Sequence, residues 1–324
     1  MDPPLNTAGF NGGVIYVVDK CSTTIKDCKF IGNQANDSGG VIYERRGCLV
    51  TIKNSIFNQG VAFNSGGVVH AHGFSKVMIN GSNFTNNSAD YGGVVRVYEK
   101  SKARIAQCTF KVNKASTTGG AMAAYKSSTL TVEDSLFVQN IANIGGVAMV
   151  FQAKLLGNSG GKIAADFGHE VGRNILDINT CEFLNNSADY GGVIYVHGST
   201  ATVNSSTLNW NTARFFGGII SANANSTVTL NMNNISHNIA KKRGGVMSLS
   251  DGNTVNIAYN FFISNSAQNK GGVFSIQDSE ALISNNIFKS STVARGTRIV
   301  HYKLNIAHSW RIMQAIMEVL CTLF

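Results

Sequence analysis

The sequence predicts an all-β protein wound as a right-handed parallel β-helix, a solenoid of about ten coils of 26–27 residues. Two observations predict it. A Gly-Gly pair begins at residues 12, 39, 66, 92, 119, 145, 191, 217, 244 and 271, a spacing of 26 or 27 in every interval but one. Between the pairs run short β-type segments such as GGVIYV, TTI and CKF, without the 3.6-residue stripe that helical repeats need. Right-handedness follows from the general preference of parallel β connections. Composition excludes other classes. With 44% hydrophobic and 14% charged residues the chain is not disordered. It has no run of 18 apolar residues, so no transmembrane helix is expected.

Each repeat divides into the same elements. The Gly pair marks a bend that needs an unusual φ or no side chain. An aliphatic residue follows it, as at Val14, Val41, Val68, Val94 and Val193, and opens the first strand. A second run is centred on Ile25, Ile52, Ile79, Ile105, Val132, Ile178, Val203, Leu230 and Ile257. Five residues on, a third run carries Phe30, Phe57, Phe84, Phe110, Phe137, Phe183, Leu208, Ile235 and Phe262. These rings are expected to stack in the core, each burial contributing roughly 2–3 kcal/mol. Three residues further stand Asn33, Asn87, Asn113, Asn140, Asn186, Asn211, Asn238 and Asn265, interrupted by Gly60. An amide repeated once per coil can donate to one neighbour and accept from the next, which makes this column a structural ladder. Stacked coils place such columns about 4.8 Å apart.

The wide interval between Gly145 and Gly191 holds an insertion at residues 154–174. Residues 1–303 then form one repeat domain. Residues 304–324 abandon the repeat, as a helical cap or as sequence foreign to the domain.

Six cysteines without a CxxC give no zinc or redox motif. Cys21 and Cys48 each lie nine residues after a Gly pair in adjacent coils. Their Cα atoms would stand about 5 Å apart, within disulfide reach in an oxidising compartment. Cys28, Cys108 and Cys181 share another column too widely spaced to bridge.

Chemistry is harder to find. Paired carboxylates of a polysaccharide-active enzyme would occupy matching columns of adjacent coils. Here Asp27 and Asp134 are four coils apart, and Asp90 and Asp189 three. The insertion alone gathers polar candidates, Asp166, His169, Glu170 and Arg173. The expectation is therefore no enzyme, cofactor or metal. The alternative is a polysaccharide lyase or glycoside hydrolase using Asp166 or Glu170 as acid or base. The 27 basic residues give a net charge of +9 but line no single column, so nucleic acid is not an expected partner.

The better binding candidate is the outward face of the first strand. Period-two alternation sends the third and fifth residues after the first Gly inward, and the fourth and sixth outward. The fourth positions include Tyr16, Tyr43, His70, Arg96 and Tyr195; the sixth include Arg45, His72, Tyr98, Tyr125, Phe151 and His197. Beyond the seventh coil both columns turn to Ser, Asn and Gln. Aromatic and Arg side chains are enriched where surfaces bind partners.

The recurring Phe-x-x-Asn and Gly-Gly-aliphatic elements, in register across residues 6–291, resemble the repeats of the polymorphic outer membrane protein family. The resemblance implies a pectin-lyase-like β-helix passenger displayed at a cell surface and often adhesive, with a cell-surface protein or glycan as partner. It implies an outer-membrane location if the source is bacterial. Nothing in the chain resembles that family's C-terminal barrel, and MDPPLNTAGF lacks a signal peptide's apolar stretch.

Overall fold

The computed structural model describes residues 6–151 and 172–293. These residues are all β-strand, turn and bend, without helix, and wind as a parallel β-solenoid of about ten turns. Three ten-stranded parallel sheets run the length of the stack. Sheet 1 collects the strands after each Gly pair, from Ile15–Val18 to Phe274–Ile276. Sheet 2 runs from Ser22–Lys26 to Glu280–Ser284, and sheet 3 from Lys29–Ile31 to Ile287–Lys289. A fourth face, leading into the Gly pair, is built of two five-stranded sheets. Single-residue bridges at Ile141 and Ile144 join its two halves. That fourth face is too short and irregular to stand out in the sequence.

Identical columns pair directly. Ile25 stands opposite Ile52, and Ile79 opposite Ile105. Phe57, Phe84, Phe110, Phe137 and Phe183 are fully buried and stacked with ring centroids 4.8–5.1 Å apart. The insertion leaves this register intact. The chain departs after Phe151 and rejoins at Ile175, yet Val132 pairs with Ile178 and Val150 with Val196. Residues 152–171, which hold most of the insertion, and the 304–324 segment lie outside the described residues.

Polar groups at the corners are satisfied by ladders. Asn113 Nδ2 donates to Asn140 Oδ1 at 3.0 Å and to the carbonyl of Phe84 at 3.0 Å. The same pair of bonds recurs at Asn140, Asn186, Asn211 and Asn238. Asn33 accepts from Asn6, but at Gly60 the column breaks and only the backbone N–H remains to donate to Asn87. Two further ladders occupy the other corners. Ser55, Ser82, Ser135, Ser206, Asn233 and Asn260 accept from the backbone N–H one coil below. Ser75, Ser101, Asn174, Ser226 and Asn253 do the same. Buried backbone donors left unpaired would each cost about 1–3 kcal/mol, so the ladders hold the bends together.

The Gly pair needs glycine twice, for two different reasons. Gly92 has φ of +66°, the left-handed region that a side chain strains. Gly93 has ordinary φ, but a Cβ there would overlap the carbonyl oxygen of Gly120 in the next coil. The chain can therefore fold back sharply at this corner, and the candidate site lies beside it.

Candidate functional site

Sheet 1 carries the outward columns, and they are less open than strict alternation implies. In the fourth-position column Tyr16, Tyr43 and His70 stack with centroids 5.2 Å apart. Tyr16 is 56% exposed, whereas Tyr43 and His70 are buried. The cause is the corner. Residues just before each Gly pair, such as Ser65, Tyr91 and Thr118, are turned against the outer face of sheet 1. Arg96 donates to Ser65 Oγ, and Tyr125 OH lies 2.6 Å from Thr118 Oγ1. The outward face is thus the floor of a groove, walled by the end of the fourth face.

Arg96 sits in the middle of this groove inside a ring of tyrosines. Its guanidinium carbon lies 5.1 Å from the Tyr91 centroid, 5.0 Å from Tyr98 and 4.9 Å from Tyr125. Cation–π attraction of this kind is strongest when desolvated. Burial pushes the Tyr125 phenol up to about 12 despite the opposing pull of Arg96. Arg96 and Tyr125 therefore act as structural parts of the wall and floor.

The sixth-position column is the half-buried rim: Arg45, His72, Tyr98, Tyr125, Phe151 and His197 follow one another over six coils. His72 stacks on Tyr98 at 5.3 Å and Phe151 on His197 at 4.4 Å. His72 Nε2 meets Glu99 Oε2 at 2.9 Å, yet burial still pushes its pKa down, against the pull of Glu99. Burial likewise lowers His197, whose Nδ1 lies 2.7 Å from Asn223 Oδ1. Asn223 Nδ2 donates in turn to Tyr195 OH at 3.1 Å. From His72 to His197 the row is a strip of aromatic rings along the solenoid axis, with the Arg45 cation at its early end.

Sequence reading missed the wall residues Tyr91, Tyr190, Phe215 and Phe216. Tyr190 packs on Phe215 and Phe216 at 5.3 and 5.6 Å. Their signal was an aromatic in the column immediately before the Gly pair. It also missed Glu44, which occupies an inward fifth position between Val17 and Ala71. Both Glu44 carboxylate oxygens are buried without a hydrogen-bond partner, and burial pushes its pKa up to about 9. At neutral pH Glu44 is a protonated acid in the core.

The register needed for a Cys21–Cys48 bridge is present, since Leu49 N–H donates to the Cys21 carbonyl. The two residues are nevertheless free thiols in this structure. Each thiol donates to a carbonyl three residues back, Cys21 to Val18 and Cys48 to Arg45, both at 3.0 Å. Asp166, His169 and Glu170 fall outside the described residues, while Arg173 donates to Thr227 Oγ1 at 3.1 Å. Among the described residues no cluster of three His, Cys, Asp or Glu side chains could hold a metal ion.

A solenoid with this corner and this ladder set defines a right-handed parallel β-helix protein, and the comparisons agree. The right handed beta helix region family matches residues 6–160. The Chlamydia polymorphic membrane protein repeat matches residues 180–197, which hold Phe183, Asn186 and the Gly191–Gly192 pair. The chain is thus a right-handed parallel β-helix, and its residues 180–197 are similar to the polymorphic membrane protein repeat. No curated protein matches. Among solved structures the Siphovirus 9NA tailspike receptor binding domain aligns at 9% identity over 91% of this chain and 75% of its own. Its TM-score of 0.17 is too low to carry an argument. No helix among the described residues is long and apolar enough to cross a membrane.

Proposed function

We propose that the protein is a non-enzymatic, surface-displayed β-helix module that adheres to an extended glycan along the groove beside the Gly-pair corner. One observation carries this reading. The rim from His72 to His197 presents half-buried rings at successive coils about 4.8 Å apart, held by stacking and by fixed hydrogen bonds. A rigid row of aromatic faces binds at low entropy cost, because its side chains are already immobilised. Weak contacts repeated along one chain add through effective concentration. The polymorphic membrane protein repeat supports display at a surface, the outer membrane in a bacterium.

A glycan array read together with a reducing-sugar release assay tests this. Wild-type protein should bind an extended glycan without releasing sugar. Replacing Tyr98 and Phe151 together by Ala should abolish binding, while Asp166→Ala with Glu170→Ala should leave it intact. Sugar release that disappears with either carboxylate would overturn the proposal in favour of a lyase or hydrolase working from the insertion. Binding of a protein partner with no glycan bound would likewise overturn it.

A further inference from the structure

The last three coils carry a different surface. There the fourth face and the corner gather Arg214, Lys241, Lys242, Arg243 and Lys270. Parallel bridges place Phe216, Arg243 and Lys270 in one column, so these five cations span three successive coils, about 10 Å along the axis. Two phenylalanines hold three of them in position. The Lys242 Nζ lies 4.4 Å from the Phe215 centroid, Arg214 lies 5.1 Å from the same ring, and Arg243 lies 5.7 Å from Phe216. Among the described residues the one ion pair made by this group is Arg214 with Asp189, at 3.8 Å. The other cations are not neutralised by a described carboxylate.

On the same outward face lies an aromatic shelf. Trp210 is 53% exposed and stacks flat on His237 at 4.3 Å, with an interplanar angle of 11°. Trp210 and His237 are bend residues just before the strands Thr212–Phe216 and Ile239–Ala240, and Arg214, Ile239 and Lys241, which follow them in the chain, are exposed. An indole face is thus followed, within one strand length, by cations in each of two adjacent coils. The shelf suits the apolar face of a pyranose ring, and the cations suit a carboxylate or sulfate on the same ring or the next. Single-stranded nucleic acid would want a stacking platform for each successive base along a basic track. Here one platform adjoins one compact basic cluster. A membrane surface would want apolar groups flanking the cations on every side, whereas Asn269 and Gln268 stand beside Lys270.

We infer that the C-terminal coils bind an acidic polysaccharide, a chain bearing carboxylate or sulfate groups, at Trp210, Arg214, Lys241, Lys242, Arg243 and Lys270. This site adjoins the late end of the groove wall through Phe215 and Phe216, but it shares none of the rim residues from His72 to His197.

The test is binding of the purified chain to immobilised heparin and polygalacturonate, with neutral dextran and single-stranded DNA as controls, across a salt titration. The account expects binding to at least one acidic polysaccharide, weakening steeply with salt. It expects no binding to dextran. Changing Lys242 and Arg243 together to Ala should weaken it by roughly tenfold or more, and shrink the salt dependence. Trp210→Ala should weaken it severalfold with the salt dependence unchanged. Tyr98→Ala with Phe151→Ala should leave it as it is, which separates this site from the groove. All variants are checked for an unchanged melting temperature. Wild-type affinity in the Lys242 and Arg243 variant would overturn the inference, as would tighter binding of DNA than of either acidic polysaccharide.

Discussion

The first seven coils and the last three share one backbone and present different surfaces. In both, a Gly pair folds the chain back and an Asn ladder closes the next bend. Gly93 and Gly245 each face a neighbouring coil's carbonyl with no room for a Cβ. Asn113 and Asn238 each bond the next Asn and a core carbonyl at 3.0 Å or less. Outside the corner the halves part. The early coils place Tyr, His and Arg in the groove, and carry Asp37, Asp90 and Asp189 before their Gly pairs. The late coils place Ser221, Ser248 and Ser275 in the groove, with Phe216, Arg243 and Lys270 immediately before the corresponding pairs. A solenoid thus separates what must repeat from what is free to change, since ladder positions answer to neighbouring coils and outward positions answer to solvent.

The largest expected effect tests the shared part. Gly93→Ala and Gly245→Ala should each destabilise by about 3 kcal/mol or more, because the obstructing atom is backbone and cannot move aside. Urea melts giving similar losses in both halves would support a common corner. A mild effect in one half would show that the corner is not equivalent.

The next effect separates the halves. Arg96→Ala removes a cation from three tyrosine faces and should cost about 2–3 kcal/mol in the same melts. Ser248→Ala, two coils past the last groove aromatic in the same column, should fall within about 0.5 kcal/mol of wild type. Equal losses at the two positions would deny that the Arg96 cage is a local feature of the early coils.

A smaller effect, of opposite sign, concerns Glu44. Its folded-state pKa is raised from 4.5 to about 9, so below pH 4.5 both states are neutral and the acid costs least. Between those values the unfolded chain ionises while the folded chain stays protonated, so Glu44 lowers stability as pH rises. Val occupies the same column at Val17, Val97, Val150 and Val196. Glu44→Val should therefore raise neutral-pH stability by about 1–3 kcal/mol. Its advantage over wild type should grow from pH 5 to pH 8. An advantage that stays flat over that range would mean Glu44 is already ionised in the fold.

Much of this was legible in the sequence, and what was not has a physical reason. The Gly pairs, the Ile column and the Phe column could be read because each sits in a ladder whose members must match. The Asn column could be read for the same cause. The two Ser-rich ladders were harder, because Ser, Cys and Asn all accept the same backbone N–H there and the column looks mixed. Alternation told which side chains of sheet 1 leave the core. It could not tell that Ser65, Tyr91 and Thr118 shade them, because that depends on how sharply the Gly pair bends. Glu44 hid because an acid in an inward column breaks the pattern used to find the column. The basic corner hid because its members occupy neighbouring columns, from Arg214 across to Lys270, and a search for one charged column passes over them.

Hydroxyl-radical footprinting with mass spectrometry, which reads side-chain exposure directly, tests the central claim with the tightest neutral glycan from the array. The groove account predicts protection of Tyr98, Phe151 and His197 on binding, with Trp210 and Met232 unchanged in the late coils. Protection that spares Tyr98 and Phe151 and appears instead at Trp210 or on the outer face of sheet 3, as at Phe261, would contradict it.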